Sequence, residues 1–255
     1  MARTDFDHEP EPAQLVAARA RAAAAPTDIA AQLELIRALT ASVGSDVPAV
    51  RRDSARVALQ EALAIGRALH RADPTNGEAE EELDVTLAKA AEMASETDDS
   101  EAEHPLLAEL VQLRRHHRSR EPGNPAWSIA LADALVLHAS AVADCRGDNE
   151  SRPIIDEGVE IYRWATATYG WPDFVWRNFS LALFRSAVIA INLGLDSSIS
   201  TAQLIEAAEI WRKHGENRGR WPQLAEMLHR AAVRVESYDR RSARKCRSLA
   251  RRLEE

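Results

Sequence analysis

A short pattern, Glu-x-x-x-(Ile/Leu)-x-Arg, recurs as Glu61/Ile65/Arg67, Glu109/Leu113/Arg115, Glu157/Ile161/Arg163 and Glu206/Ile210/Arg212, in steps of 48, 48 and 49 residues. Prolines keep nearly the same period: Pro26, Pro74, Pro122, Pro172 and Pro222 lie 48, 48, 50 and 50 residues apart. Two markers running together imply a repeated unit that buries its apolar face by stacking on its neighbours. That constrains the 255 residues to an array of one motif rather than a set of unrelated folds.

Composition says what the motif is made of. Hydrophobic residues are 45% of the chain but aromatics only 5%, so the apolar content is mainly Ala, Leu, Val and Ile. That is helix composition, and the near absence of β-branched alternation argues against a sheet. Each unit reads as proline, short turn, helix A, loop, helix B. The spacing predicts an opening helix over 12–25, then helix pairs over 28–42 and 50–71, and over 77–95 and from Pro105. Two more follow, over 125–144 and from Pro153, and over 173–192 and 201–214, with an Arg-rich half unit over 223–255 as a cap. Pro105, Pro125 and Pro153 are read as first-turn prolines, where the missing N–H has no helical partner anyway. Ser54 and Ser200-Thr201 are read as capping hydroxyls. Residues 1–12 read as a disordered acidic leader, and 13–255 as a single repeat domain with units 26–73, 74–121, 122–171 and 172–221 and capping helices over 222–255.

The turns Asp73-Pro74-Thr75-Asn76 and Glu121-Pro122-Gly123-Asn124 resemble those that close a tetratricopeptide (TPR) repeat. Leu35, Leu83, Leu131 and Leu181, nine residues after a proline, match the motif's first large helix A residue, and Leu39, Leu87 and Leu135 its second. Trp127 resembles its opening aromatic, with Trp176 as a shifted counterpart. Glu61-Ala62 and Glu206-Ala207 resemble its Glu-Ala pair; Glu157-Gly158 keeps the small residue and Glu109-Leu110 does not. The units are longer than the family's 34 residues. The resemblance implies an all-α, right-handed α-solenoid whose helices A line a concave groove, and a protein or peptide partner held there. Carried over by register, the groove side includes Trp127, Ile129, Asp133, Leu137, Trp176, Phe179 and Leu183, with Glu78, Glu81, Val85 and Lys89 in the preceding unit. The same residues are equally well placed as extra core for long helices. Basic positions that would clamp a peptide carboxylate are not repeated.

In the Glu-x-x-x-(Ile/Leu)-x-Arg marker, the aliphatic residue is a core position one turn from the Glu. The Glu and Arg either form a solvated face or bridge successive units. Trp171-Pro172 and Trp221-Pro222 place an indole over the inter-repeat turn. The adjacent His116 and His117 point about 100° apart on a helix and do not make a metal site. Asp98-Asp99-Ser100-Glu101 sits in a predicted loop, with no second acidic motif to share a metal. No phosphate loop, nucleophile elbow or zinc-helix motif is present, so a non-enzymatic chain without a cofactor is expected. Cys145 and Cys246 are read as free thiols. No secretory signal and no run of about 18 apolar residues is evident, which places the chain in the cytoplasm without a membrane span.

Charge is unevenly distributed in this chain of net −8. Residues 78–103 hold eleven acids and one base, whereas 212–255 hold thirteen bases and six acids. The basic end, Arg240 to Arg252, reads as a capping helix rather than a nucleic-acid contact, with docking onto an acidic partner, or onto the acidic loop over 96–103 of another copy, as the alternative. The function expected is a protein-interaction adaptor; a sensor for a small molecule or signalling peptide is the alternative.

Overall fold

A computed structural model describes residues 12–44, 51–170, 175–214 and 221–254. Among these the chain is all-α: eleven helices and no strand. They are α1 (Ala13–Ala24), α2 (Ile29–Ser42), α3 (Arg52–Ala72), α4 (Gly77–Glu96), α5 (Ser100–Arg120), α6 (Pro125–Arg146), α7 (Asp148–Tyr169), α8 (Val175–Asn192), α9 (Ser197–His214), α10 (Pro222–Val235) and α11 (Arg240–Glu254). The leader up to residue 11, the breaker around Pro48 and the Trp171-Pro172 pair lie outside the described residues. The chain divides into two compact units, Met1–Leu106 and Leu107–Glu255, with the division inside α5.

Within each unit, helices pack in chain order. In the first, α1 meets α2, α2 meets α3, α3 meets α4, and α2 also meets α4. In the second, each helix from α6 to α10 meets the next, with further pairings of α6 with α8 and α9 with α11. Contacts to the next helix and the next but one are the sequential packing of a helical solenoid.

The proline turns have a shared mechanism. The carbonyls of Ala25, Asp73 and Glu121 accept from the amides of Asp28, Asn76 and Asn124 at 3.0, 3.2 and 3.0 Å. The side chains of those same three residues then cap the following helix, accepting from Ala30, Ala79 and Ala126 amides. Proline fixes the turn and the residue two positions later caps the helix, which is why the two are linked in the sequence. Pro222 differs: it is the first residue of α10 itself.

Three boundaries depart from expectation. Helix α5 begins at Ser100, so Pro105 is its sixth residue rather than in its first turn, and Pro153 is likewise the sixth residue of α7. The predicted loop over 146–151 shrinks to Gly147, whose φ of +94° turns the chain between α6 and α7. In both helices the turn before the proline is acidic, Glu101 and Glu103 or Asp148 and Glu150, which suits the positive end of the helix dipole. Asp99, within the aspartate run, accepts from the Ala102 amide at the start of α5. Helix α9 likewise starts four residues early because Asp196 accepts from the Ser198 amide, and Ser200 and Thr201 are buried rather than capping.

Leu35, Leu39, Leu83, Leu87, Leu131 and Leu135 are all buried, as their spacing predicts. Gly158 lets α7 approach α6: a Cβ there would lie 3.3 Å from Leu135 Cβ and 3.4 Å from Val136 Cγ2. Of the marker's aliphatic residues, Leu113, Ile161 and Ile210 are buried and Ile65 is half-buried. The marker's charges bridge successive helices B. Arg115 on α5 meets Glu157 on α7 at 2.5 Å, and Arg163 on α7 meets Glu206 on α9 at 2.8 Å. Arg19 on α1, one period before Arg67, meets Glu61 on α3 at 2.7 Å. Thus α1 occupies the place of a helix B.

Helix α6 is, by length and composition, long and apolar enough to cross a membrane, against the expectation that no such run exists. More than half of that stretch, 56%, is buried against neighbouring helices. A core helix packed on two sides needs the same apolar content as a span.

Candidate functional site

Helix A surfaces carry a recurrent arrangement in which polar side chains join one helix A to the next and an exposed aliphatic residue stands between or beside them. In the second unit, Asn178 on α8 donates to Asp133 on α6 at 2.8 Å. Two turns along, Arg185 on α8 donates to Ser140 on α6 at 2.5 Å. Leu137, midway along α6 between these rungs, is 47% exposed. In the first unit Arg37 on α2 donates to Glu82 on α4 at 2.5 Å, and the hydroxyls of Thr40 and Thr86 lie 3.2 Å apart. Val85, beside them on α4, is 49% exposed.

Asp133 also accepts a hydrogen bond from the buried Tyr162 hydroxyl on α7. Desolvation pushes the Asp133 carboxyl above its ordinary value of 3.8, against the downward pull of the Tyr162 and Asn178 hydrogen bonds. Burial, and then the neighbouring Asp133 charge, raises the Tyr162 phenol far above its usual range. This side-chain junction ties α6, α7 and α8 together at one edge of the face.

The seven sequence-nominated residues divide. Leu137 is exposed, while Trp127 and Asp133 are half-buried, Trp127 stacked parallel on His117 with ring centroids 4.0 Å apart. Ile129, Trp176, Phe179 and Leu183 are core, with Phe179 and Leu183 at 1% and 0% exposure. Phe179 stacks on Tyr162, and Trp176 meets Trp211 edge-on. The expected apolar groove floor on α8 is therefore not presented to solvent. The physical reason is register. The proline step into this unit is 50 residues but the glutamate step only 48 to 49, and two residues rotate a helix by about 200°. On α8, Asn178, Leu181 and Arg185 are half-exposed instead.

Asn178, Ser140, Arg185 and Tyr162 are components that sequence reasoning missed. Only Tyr162 had a signal, because it precedes the marker's arginine. The positions equivalent to it are Gly66, Arg114 and Trp211, and each reaches a helix A. A Cβ on Gly66 would lie 3.3 Å from Leu83, Arg114 donates to the Ala130 carbonyl at 2.8 Å, and Trp211 packs on Trp176.

A separate cleft of about 480 Å³ lies between α9 and the α10–α11 turn, lined in part by Thr201, Glu206, Glu209, Tyr238, Arg241 and Lys245. It is bridged by Lys245 to Glu209 at 2.7 Å and by the Ser197 and Tyr238 hydroxyls. Trp221 closes an aromatic cluster with Trp211 and Phe184, at centroid distances of 4.6 and 5.4 Å. Among the described residues no three His, Cys, Asp or Glu side chains converge as a metal site would require. No protein-family model matches the chain, and no curated protein matches it.

Proposed function

We propose that this chain is a TPR-like, non-enzymatic adaptor that binds a protein segment on its helix A faces, with the α6–α8 face as the principal contact. The observation that carries the proposal is Leu137: an aliphatic side chain nearly half exposed, set between two inter-helix polar rungs that fix the surface around it. An apolar anchor with a polar surround is how protein interfaces concentrate binding energy. Leu181 extends the apolar strip, and Asp133 and Arg185 supply charges of opposite sign at its two ends. The partner this fits is an amphipathic helix or extended segment with one aliphatic side chain directed at Leu137.

A photo-crosslinking residue at Leu137, with the same residue at the 73%-exposed Val233 as control, tests the reading in cells of the source organism. A discrete adduct from position 137 and none from 233 supports it; identical patterns from both positions contradict it.

The cleft beside α11 favours a second reading, a sensor of a small molecule or signalling peptide. Its walls carry both signs of charge, Glu206 and Glu209 opposite Arg241 and Lys245. A low-mass ligand there raises Tm in a concentration-dependent manner, and Glu209→Gln abolishes the rise. A macromolecular partner with no small-ligand shift selects the adaptor.

A further inference from the structure

We propose that α11 is a docking element for a second copy of this chain, its cationic face meeting the acidic face of α4 on the other copy. Helix α11 segregates its residues sharply. Ala243, Cys246, Leu249, Ala250 and Leu253 are buried on one side, while Arg244, Arg251 and Arg252 are exposed on the other. Lys245 and Arg247 are taken up by Glu209 and Glu236, but Arg244, Arg251 and Arg252 have no acidic partner among the described residues. A helix already packed on α9 and α10 does not need these three cations for its own burial.

The occupant follows from charge. The chain carries −8 overall, so its long-range field opposes a polyanion such as nucleic acid while leaving a local cationic face for a patterned acidic surface. Helix α4 is such a surface: Glu78, Glu81, Glu92 and Glu96 are exposed at helical spacing, with Arg37 paired to Glu78 and Lys89 to Glu92. Val85, 49% exposed in the middle of that row, supplies an apolar contact. Complementary faces at different places on one chain make a head-to-tail contact, which closes as a ring or continues as an open chain.

Sedimentation velocity at rising concentration, in roughly 0.01 M and 1 M salt, tests this, because the screening length falls from about 30 Å to about 3 Å between them. Association of the wild type in low salt and its loss in high salt are expected. Two charge-reversed chains make the test specific: Arg244→Glu/Arg251→Glu/Arg252→Glu on α11, and Glu81→Lys/Glu92→Lys/Glu96→Lys on α4, each checked for wild-type helicity by circular dichroism. Each alone remains monomeric, and an equimolar mixture associates at least tenfold more tightly than either, since each now offers the face that the other lost. A wild type that stays monomeric in low salt, or a mixture no tighter than its components, overturns the proposal. So does a wild type that binds a duplex oligonucleotide through these arginines without self-associating.

Discussion

Asp133 is where burial, charge and the proposed contact face meet, and its chemistry has a definite sign. Because desolvation raises the folded carboxyl above 3.8, the native state holds a proton that the unfolded chain has released in the window just above that value. Its contribution to stability therefore falls as pH rises through that window and is recovered on acidification. Measured by thermal melts, wild type should gain on Asp133→Asn as pH is lowered from 7 towards 4; a growing deficit would mean that the hydrogen bonds outweigh desolvation. Phe179, fully buried against Tyr162, behaves as core: Phe179→Ala costs about 3–5 kcal/mol in denaturant melts, whereas Leu137→Ala costs under about 1. The thiols divide in the same way. Burial pushes Cys246 up to about 11, so under native conditions at pH 8 a thiol reagent should label the half-buried Cys145 and leave Cys246 until the protein unfolds.

Helices were legible wherever the sequence carried their punctuation. Asp28, Asn76 and Asn124 are caps tied to a preceding proline turn, so the starts of α2, α4 and α6 fall within a residue of their predicted places. Asn76→Ala and Asn124→Ala should each cost about 0.5–2 kcal/mol by urea melts, and both should be rescued by Asp or Ser. The starts of α5 and α7 were missed because their prolines resemble first-turn prolines, yet an acidic turn precedes each within the helix. Burial of Leu35, Leu39, Leu83, Leu87, Leu131 and Leu135 followed from period alone, but Leu181, the matching position of the last unit, is half-exposed. The outward face of α8 did not, since a one- or two-residue slip in a long unit moves a whole stripe from solvent to core. The contacts of Asn178 and Ser140 had no sequence signal at all: they depend on where two helices A meet, and residues 45 apart do not announce themselves in a 48-residue period.

Across the molecule, the Arg-to-Glu bridges between successive helices B explain why a charged pair is kept at one period. Side chains in the Arg115–Glu157 and Arg163–Glu206 pairs are about 40% exposed, so each contributes only ~0–1 kcal/mol and is weakened by salt. Their value is in register, because a helix slipped by one turn loses its partner. The stacking buries the helix interfaces, and the adaptor proposed above would meet its partner on the helix A surfaces that the stacking leaves. The most direct test of that claim is the affinity of the captured partner for Leu137→Arg and for Val233→Arg, each shown to be folded, by titration calorimetry. The account predicts at least a tenfold loss for Leu137→Arg with Val233→Arg unchanged; equal affinities for both variants and the wild type would contradict it.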